Sequence, residues 1–124
     1  MIAKSRNQAA SVQELVERFT SIAAAQYDAI QRDHHSRYNR LYAQMEEVRV
    51  ELKSRDGDQR RALIPLLKSN NSQLRLKAAI TLLAISLDLA RKALESVRDS
   101  EIFPQCADAG MMLDAIDDGS YVPS

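Results

Sequence analysis

Between Val12 and Ile30 the apolar residues Val12, Leu15, Val16, Phe19, Ile22, Ala23, Tyr27 and Ile30 recur at steps of three and four. Residues at those steps share one face of an α-helix, whereas a half-buried strand would alternate every second residue. The pattern returns in Tyr38, Leu41, Tyr42, Met45, Val48 and Leu52, then in Leu74, Ala78, Leu82 and Ile85 with Ala79 and Leu83 beside them. Leu89, Ala93, Leu94 and Val97 carry it once more, and Ala107, Met111, Met112, Ala115 and Ile116 supply a last apolar side. The 124 residues contain three Gly and three Pro, too few for the many turns of a β-rich chain. The reading is all-α, with about six helices.

Local signals divide these helices. Ser11 is placed to cap the first, and Glu14 with Arg18 forms an i,i+4 pair on its outer side. Asp33 is the expected cap of the second. Gly57 in "SRDGD" supplies a positive φ, and Asp56 or Asp58 caps a third helix through "QRRALIPLLKS". Pro65 lies about two turns into it. A proline there removes one backbone bond and presses on the carbonyl of Arg61, so this helix must kink or stay short. "SNNS" makes a turn through side-chain bonds to its own backbone. Ser86 with Asp88 opens the fifth helix, Pro104 opens the sixth, and Gly119 ends it. Short connections pair the helices into three antiparallel hairpins. The expected layout is a flexible N-terminus over 1–10, one helical-repeat domain over 11–119, and a tail over 120–124.

The stretch Pro65-Leu66-Leu67, a polar turn, Leu74-Arg75, Ala78-Ala79 and Leu82-Leu83 resembles a HEAT repeat. That resemblance implies a short HEAT/armadillo-like α-solenoid, with Pro65 curving the first helix of a unit. Leu74 stands where the family usually has Val, and Ser69 where it often has an acid. The segment from Leu87 to Asp117 resembles a degenerate second unit. Residues 11–123 also resemble a bacterial family of unknown function, through "SRYNRLYAQMEEV", "DQRRALIPLLKSNNSQLRLKAA" and "FPQCADAGMMLDAIDDG". That likeness implies an armadillo-like fold, brings no established activity and leaves function open.

Seventeen basic and seventeen acidic residues give zero net charge, which favours neither nucleic acid nor an anionic membrane. Arg60, Arg61, Lys68, Arg75 and Lys77 gather mid-chain, but neighbours on one helix point to different sides, so no continuous basic stripe is expected. No run reaches the roughly 18 apolar residues that span a bilayer, and no secretion signal is visible. Cys106, the only cysteine, can form no internal disulfide. A cytoplasmic protein is expected.

No catalytic, cofactor-binding or metal-binding set is expected. His34 and His35 are adjacent, about 100° apart on a helix, whereas helical zinc sites use i and i+4. Cys106 reads as a small buried residue. Tyr38 and Tyr42 share a face with Leu41 and Met45 and read as core. After Arg98 there is no Lys or Arg, while Asp99, Glu101, Asp108, Asp114, Asp117 and Asp118 follow. On the last helix Met111, Ala115 and Ile116 are expected to face the core and turn the three late aspartates outward. Asp114, Asp117 and Asp118, with Arg75, are therefore the candidate partner-binding residues, and the partner expected is a basic protein. The functional expectation is a non-catalytic protein-interaction module, in its most specific form a bacterial regulatory or immunity-type binding protein. A small enzyme or cofactor- or metal-binding helical domain and a nucleic-acid-binding helical repeat are the alternatives.

Overall fold

A computed structural model describes residues 5–124. These residues form six helical elements and no strand. They are α1 (Val12–Gln31), α2 (His35–Ser54), a 3-10 helix (Gln59–Lys68), α3 (Ser72–Leu82), α4 (Leu87–Asp99) and α5 (Gln105–Asp117). The all-α reading holds. The chain divides into two compact units, one ending at Ala62 and the other starting at Leu63.

In the first unit α1 starts at a reciprocal cap. Ser11 Oγ accepts from the Glu14 amide at 3.1 Å, and the Glu14 carboxylate accepts from the Ser11 amide at 2.9 Å. This satisfies two amides that the first turn leaves free. Glu14 makes no direct ion pair with Arg18, whose charge still helps to hold the Glu14 carboxyl low after the bonds from Ser11; Arg18 donates to Asn7 Oδ1 at 2.8 Å and to the Arg6 carbonyl at 3.0 Å. The frayed terminus expected over 1–10 lies partly outside the described residues. From Ser5 the chain forms turns, and Arg55 donates to the carbonyls of Asn7 and Ala10.

The three-residue link from α1 to α2 makes an antiparallel hairpin, and the two helices pack on each other. Leu15, Phe19, Ala23 and Ala29 are buried on α1, and Met45, Val48 and Leu52 on α2. Each large side chain among them contributes about 1.5–3 kcal/mol by leaving water. Asp33 does not cap α2. Its φ is +58°, a left-handed turn conformation, and His34 takes the cap position without a side-chain bond. Tyr42 is exposed and Tyr38 only half-buried, which corrects the assignment of both rings to the core. The narrow buried line of Met45, Val48 and Leu52 leaves Tyr42 outside it.

The 3-10 helix resolves the proline question without an α-helical kink. In 3-10 winding the bonds reach back three residues, so the bond that Pro65 cannot donate is the one to the Ala62 carbonyl, and the Arg61 carbonyl is not called on. Of its side chains, Arg60 and Leu63 are buried.

In the second unit Asn71 caps α3, accepting from the Leu74 amide at 3.1 Å, while Ser69 Oγ accepts from the Asn71 amide at 3.1 Å. α3 packs on both α4 and α5, and it is buried nearly all round. Ser72, Gln73, Leu74, Leu76, Ala78, Ala79, Thr81 and Leu82 all lie inside, as befits a central helix. α4 and α5 run antiparallel: the α4 residue Arg91 meets Asp117, and farther along α4 the stem of Arg98 lies against Gly110. Gly119, at φ +81°, ends α5 as expected.

Candidate functional site

The outward face of α5 is the strongest candidate surface. Its inward face is Gln105, Cys106, Ala109 and Leu113. That choice turns Ala107, Met111, Asp114 and Asp118 to solvent. At 3.6 residues per turn these four fall within about 60° of one another, so they form one stripe. Met111 is 63% exposed, and Phe103, just before the helix, is 71% exposed. The expectation that Met111 faces the core is corrected. The helix carries apolar residues on two sides, and only one of them is packed.

The three late aspartates are exposed, but they differ. Asp117 lies on the side toward α4 and pairs with Arg91 at 2.8 Å. Asp118 accepts from the Ser120 amide at 2.8 Å, and bonding by Ser120, side chain first and then backbone, holds its carboxyl below the usual range. Asp114 makes no ion pair among the described residues. Arg98 sits in the field of Asp99, Glu95 and Asp114, but its guanidinium is bonded to Asp99 at 2.9 Å. The tail folds back, with the Tyr121 amide donating to the Ala115 carbonyl at 3.1 Å. Arg75 is half-buried on α3, and no ion pair joins it to these aspartates among the described residues.

These contacts separate the expected behaviour of the aspartates. Asp114→Asn removes a carboxylate from the negative end of α5, and its melting temperature should equal or exceed that of the parent. Asp117→Asn breaks an exposed pair, and should cost at most about 1 kcal/mol. Thermal denaturation of the two single variants side by side checks both.

Other constellations are less promising. His35 Nε2 lies 2.9 Å from Asp33 Oδ1, with both side chains in solvent. Cys106 is buried and free. No group of three or more His, Cys, Asp or Glu among the described residues is arranged to hold a metal. An open groove along the first unit is lined by Glu14, Glu17, Glu46, Glu47 and Glu51. Four of these carboxylates are already engaged, by Ser11, Gln13, Arg49 and Arg55. In the mid-chain basic cluster Arg60 is buried against Asp58, while exposed Arg61 donates to the Gly57 carbonyl. No helix of the described residues is long and apolar enough to cross a membrane.

The model of a family described as a domain of unknown function, DUF2019, matches residues 13–117. The chain belongs to this family. The crystal structure of protein RPA1889 from Rhodopseudomonas palustris CGA009 is similar at 44% identity. The match covers 97% of this chain and 98% of that one, with a TM-score of 0.92. Among curated proteins no match is found. The DUF2019 assignment brings a fold and no chemistry, so function must be argued from the surface of α5.

Ala107 and Met111, read from the sequence as the apolar side of the last helix, face outward instead, and Phe103 carried no expectation. One signal was available. Cys106, Ala109, Leu113 and Ile116 make a second apolar line on α5 at helical spacing. A helix with two apolar lines buries both only when it is enclosed all round.

Proposed function

We propose that this DUF2019 domain is a protein-interaction module that presents the outer face of α5 to a partner. The observation that carries the proposal is the exposure of Met111 on the same helix face as Asp114 and Asp118, with Phe103 also exposed just before the helix. Single exposed apolar residues are common, but large unbranched or aromatic ones grouped beside charge suit a contact surface. Burial of Cys106 and exposure of the histidines favour binding over catalysis. The HEAT-like register of residues 65–83 fits a module of this kind, whose helical hairpins commonly serve as binding scaffolds. A cytoplasmic setting suits its single unpaired cysteine. A regulatory or immunity-type role is the specific form this reading takes.

The test is affinity capture from native lysate with the parent protein and with Met111→Ser. A stoichiometric protein retained by the parent and lost by the variant, at equal melting temperature, is the expected result. Identical capture by both would remove α5 from the reading.

A further inference from the structure

We infer that the outer face of α5 docks a cationic amphipathic helix, one with apolar side chains over Ala107 and Met111 and Lys or Arg over Asp114 and Asp118. This deepens the interaction reading above and rests on it.

The stripe is ordered along the helix. Its N-terminal half is apolar, with Met111 largely exposed and Ala107 exposed one turn before it. Its C-terminal half is acidic, with Asp114 and Asp118 following Met111 at steps of three and four. Residues at these steps are the anchors by which one helix reads another.

Charge decides what the occupant must carry. Asp117 is already paired with Arg91, but among the described residues Asp114 feels the charge of Arg98 without an ion pair, and the Asp118 carboxylate accepts from Ser120 and has no ion pair. Both stand where the free carbonyls of the α5 terminus add partial negative charge. A cation placed there is attracted by two carboxylates and by the helix end together. The tail beyond α5 offers none, because no Lys or Arg follows Arg98. A second copy of this chain fits poorly for the same reason. Laid parallel, its α5 sets aspartate against aspartate; laid antiparallel, it sets aspartates against an uncharged half.

The probe is a fluorescent stapled helical peptide with leucines along one face and lysines on that face over its last turn. A matched peptide has glutamates in place of the lysines. Fluorescence anisotropy should show saturable binding of the lysine peptide. Affinity should fall about tenfold with Met111→Ser, as for an apolar anchor of an interface. It should also fall with Asp114→Asn plus Asp118→Asn, and with added salt. The glutamate peptide should bind at least about tenfold more weakly, since like charges would then face each other. All three substituted residues are exposed, and matching melting temperatures confirm intact folding. Equal binding of the two peptides, or unchanged binding by the variants, overturns the inference. So does sedimentation showing that the parent self-associates and Met111→Ser does not, since a second copy then owns the face. If lysate capture depends on Met111 while the captured partner lacks a cationic helix, this inference fails and the broader reading survives.

Discussion

Asp58→Ala should lower the unfolding free energy by about 2–4 kcal/mol, the larger of two expected effects on stability. Arg60 is 3% exposed. Its Nε and Nη2 donate to the two oxygens of Asp58 at 2.9 and 2.7 Å, and its own amide reaches Asp58 Oδ1 at 3.3 Å. The two-pronged geometry suits guanidinium and carboxylate. Removing the acid leaves a buried cation without its partner. A fully buried pair broken in this way costs roughly 3–5 kcal/mol. Asp58 is 31% exposed at its side chain, so water supplies part of what is lost and the lower figure applies.

Backbone geometry must be separated from this. Asp58 has φ +53°, a region that Asp, Asn and Gly tolerate better than Ala. Asp58→Gly removes the carboxylate without that strain, and Asp58→Asn keeps one acceptor while losing the charge. Urea denaturation should rank the losses as Ala greatest, Gly close behind and Asn least. Losses below about 0.5 kcal/mol throughout would make the pair no more than a surface contact. Acid adds a second check. Hydrogen bonding by the Arg60 guanidinium holds the Asp58 carboxyl below the usual carboxylate range. A carboxyl whose folded pKa is depressed contributes stability that is present in full above the unfolded value, near 3.9. That stability is lost as pH falls through the folded value. The gap between parent and Asp58→Asn should therefore be constant from pH 7 to about 5 and shrink below about 4.

What could be read in advance was local chemistry. The Ser11 cap, the Asn71 turn and the left-handed glycines at 57 and 119 each depend on a few neighbouring residues, and each is where the sequence implied. Helix spans were legible for a related reason, since apolar spacing of three and four over many residues admits one answer. Capping at Asp33 failed because a left-handed turn and a helix cap draw on the same short acidic side chain. The rotation of α5 was hidden because two apolar lines compete for one packed face, and tertiary contact decides between them. For the candidate site, exposure of the aspartates was legible but the apolar half of the stripe was not. Arg60, Gln26, Gln73 and Gln105 are buried polar residues, and no period marks them. Their places depend on partners elsewhere in the chain.

Gln73 and Gln105 provide the second large effect. They are 1% and 0% exposed, on α3 and α5, and Gln105 Nε2 donates to Gln73 Oε1 at 3.0 Å. One turn along, Lys77 on α3 lowers the charge cost of Asp108 on α5, whose carboxyl burial nevertheless pushes up. A polar seam thus runs between two helices whose other buried residues are mostly apolar. Gln105→Met keeps the length and approximate volume of the side chain but removes the donor to a buried oxygen, at a cost of about 1–3 kcal/mol. The lower part of that range applies, because Gln105 Oε1 itself has no hydrogen-bond partner and its removal relieves that burial. Gln73→Met should cost more, since Gln73 has a further interaction besides the one with Gln105. The double variant should lose less than the two singles combined, with a coupling of about 1–2 kcal/mol from a urea-denaturation cycle. Additive losses would mean that the amides are buried side by side without supporting each other. A positive coupling would identify the pair as what fixes α5 along α3. A one-residue slip of α5 would replace Gln105 by Pro104 or Cys106 opposite Gln73, and neither side chain can provide the amide donor that the buried oxygen accepts. The same register turns Ala107, Met111, Asp114 and Asp118 outward together, so the interior amide bond also sets which side chains the outer stripe presents.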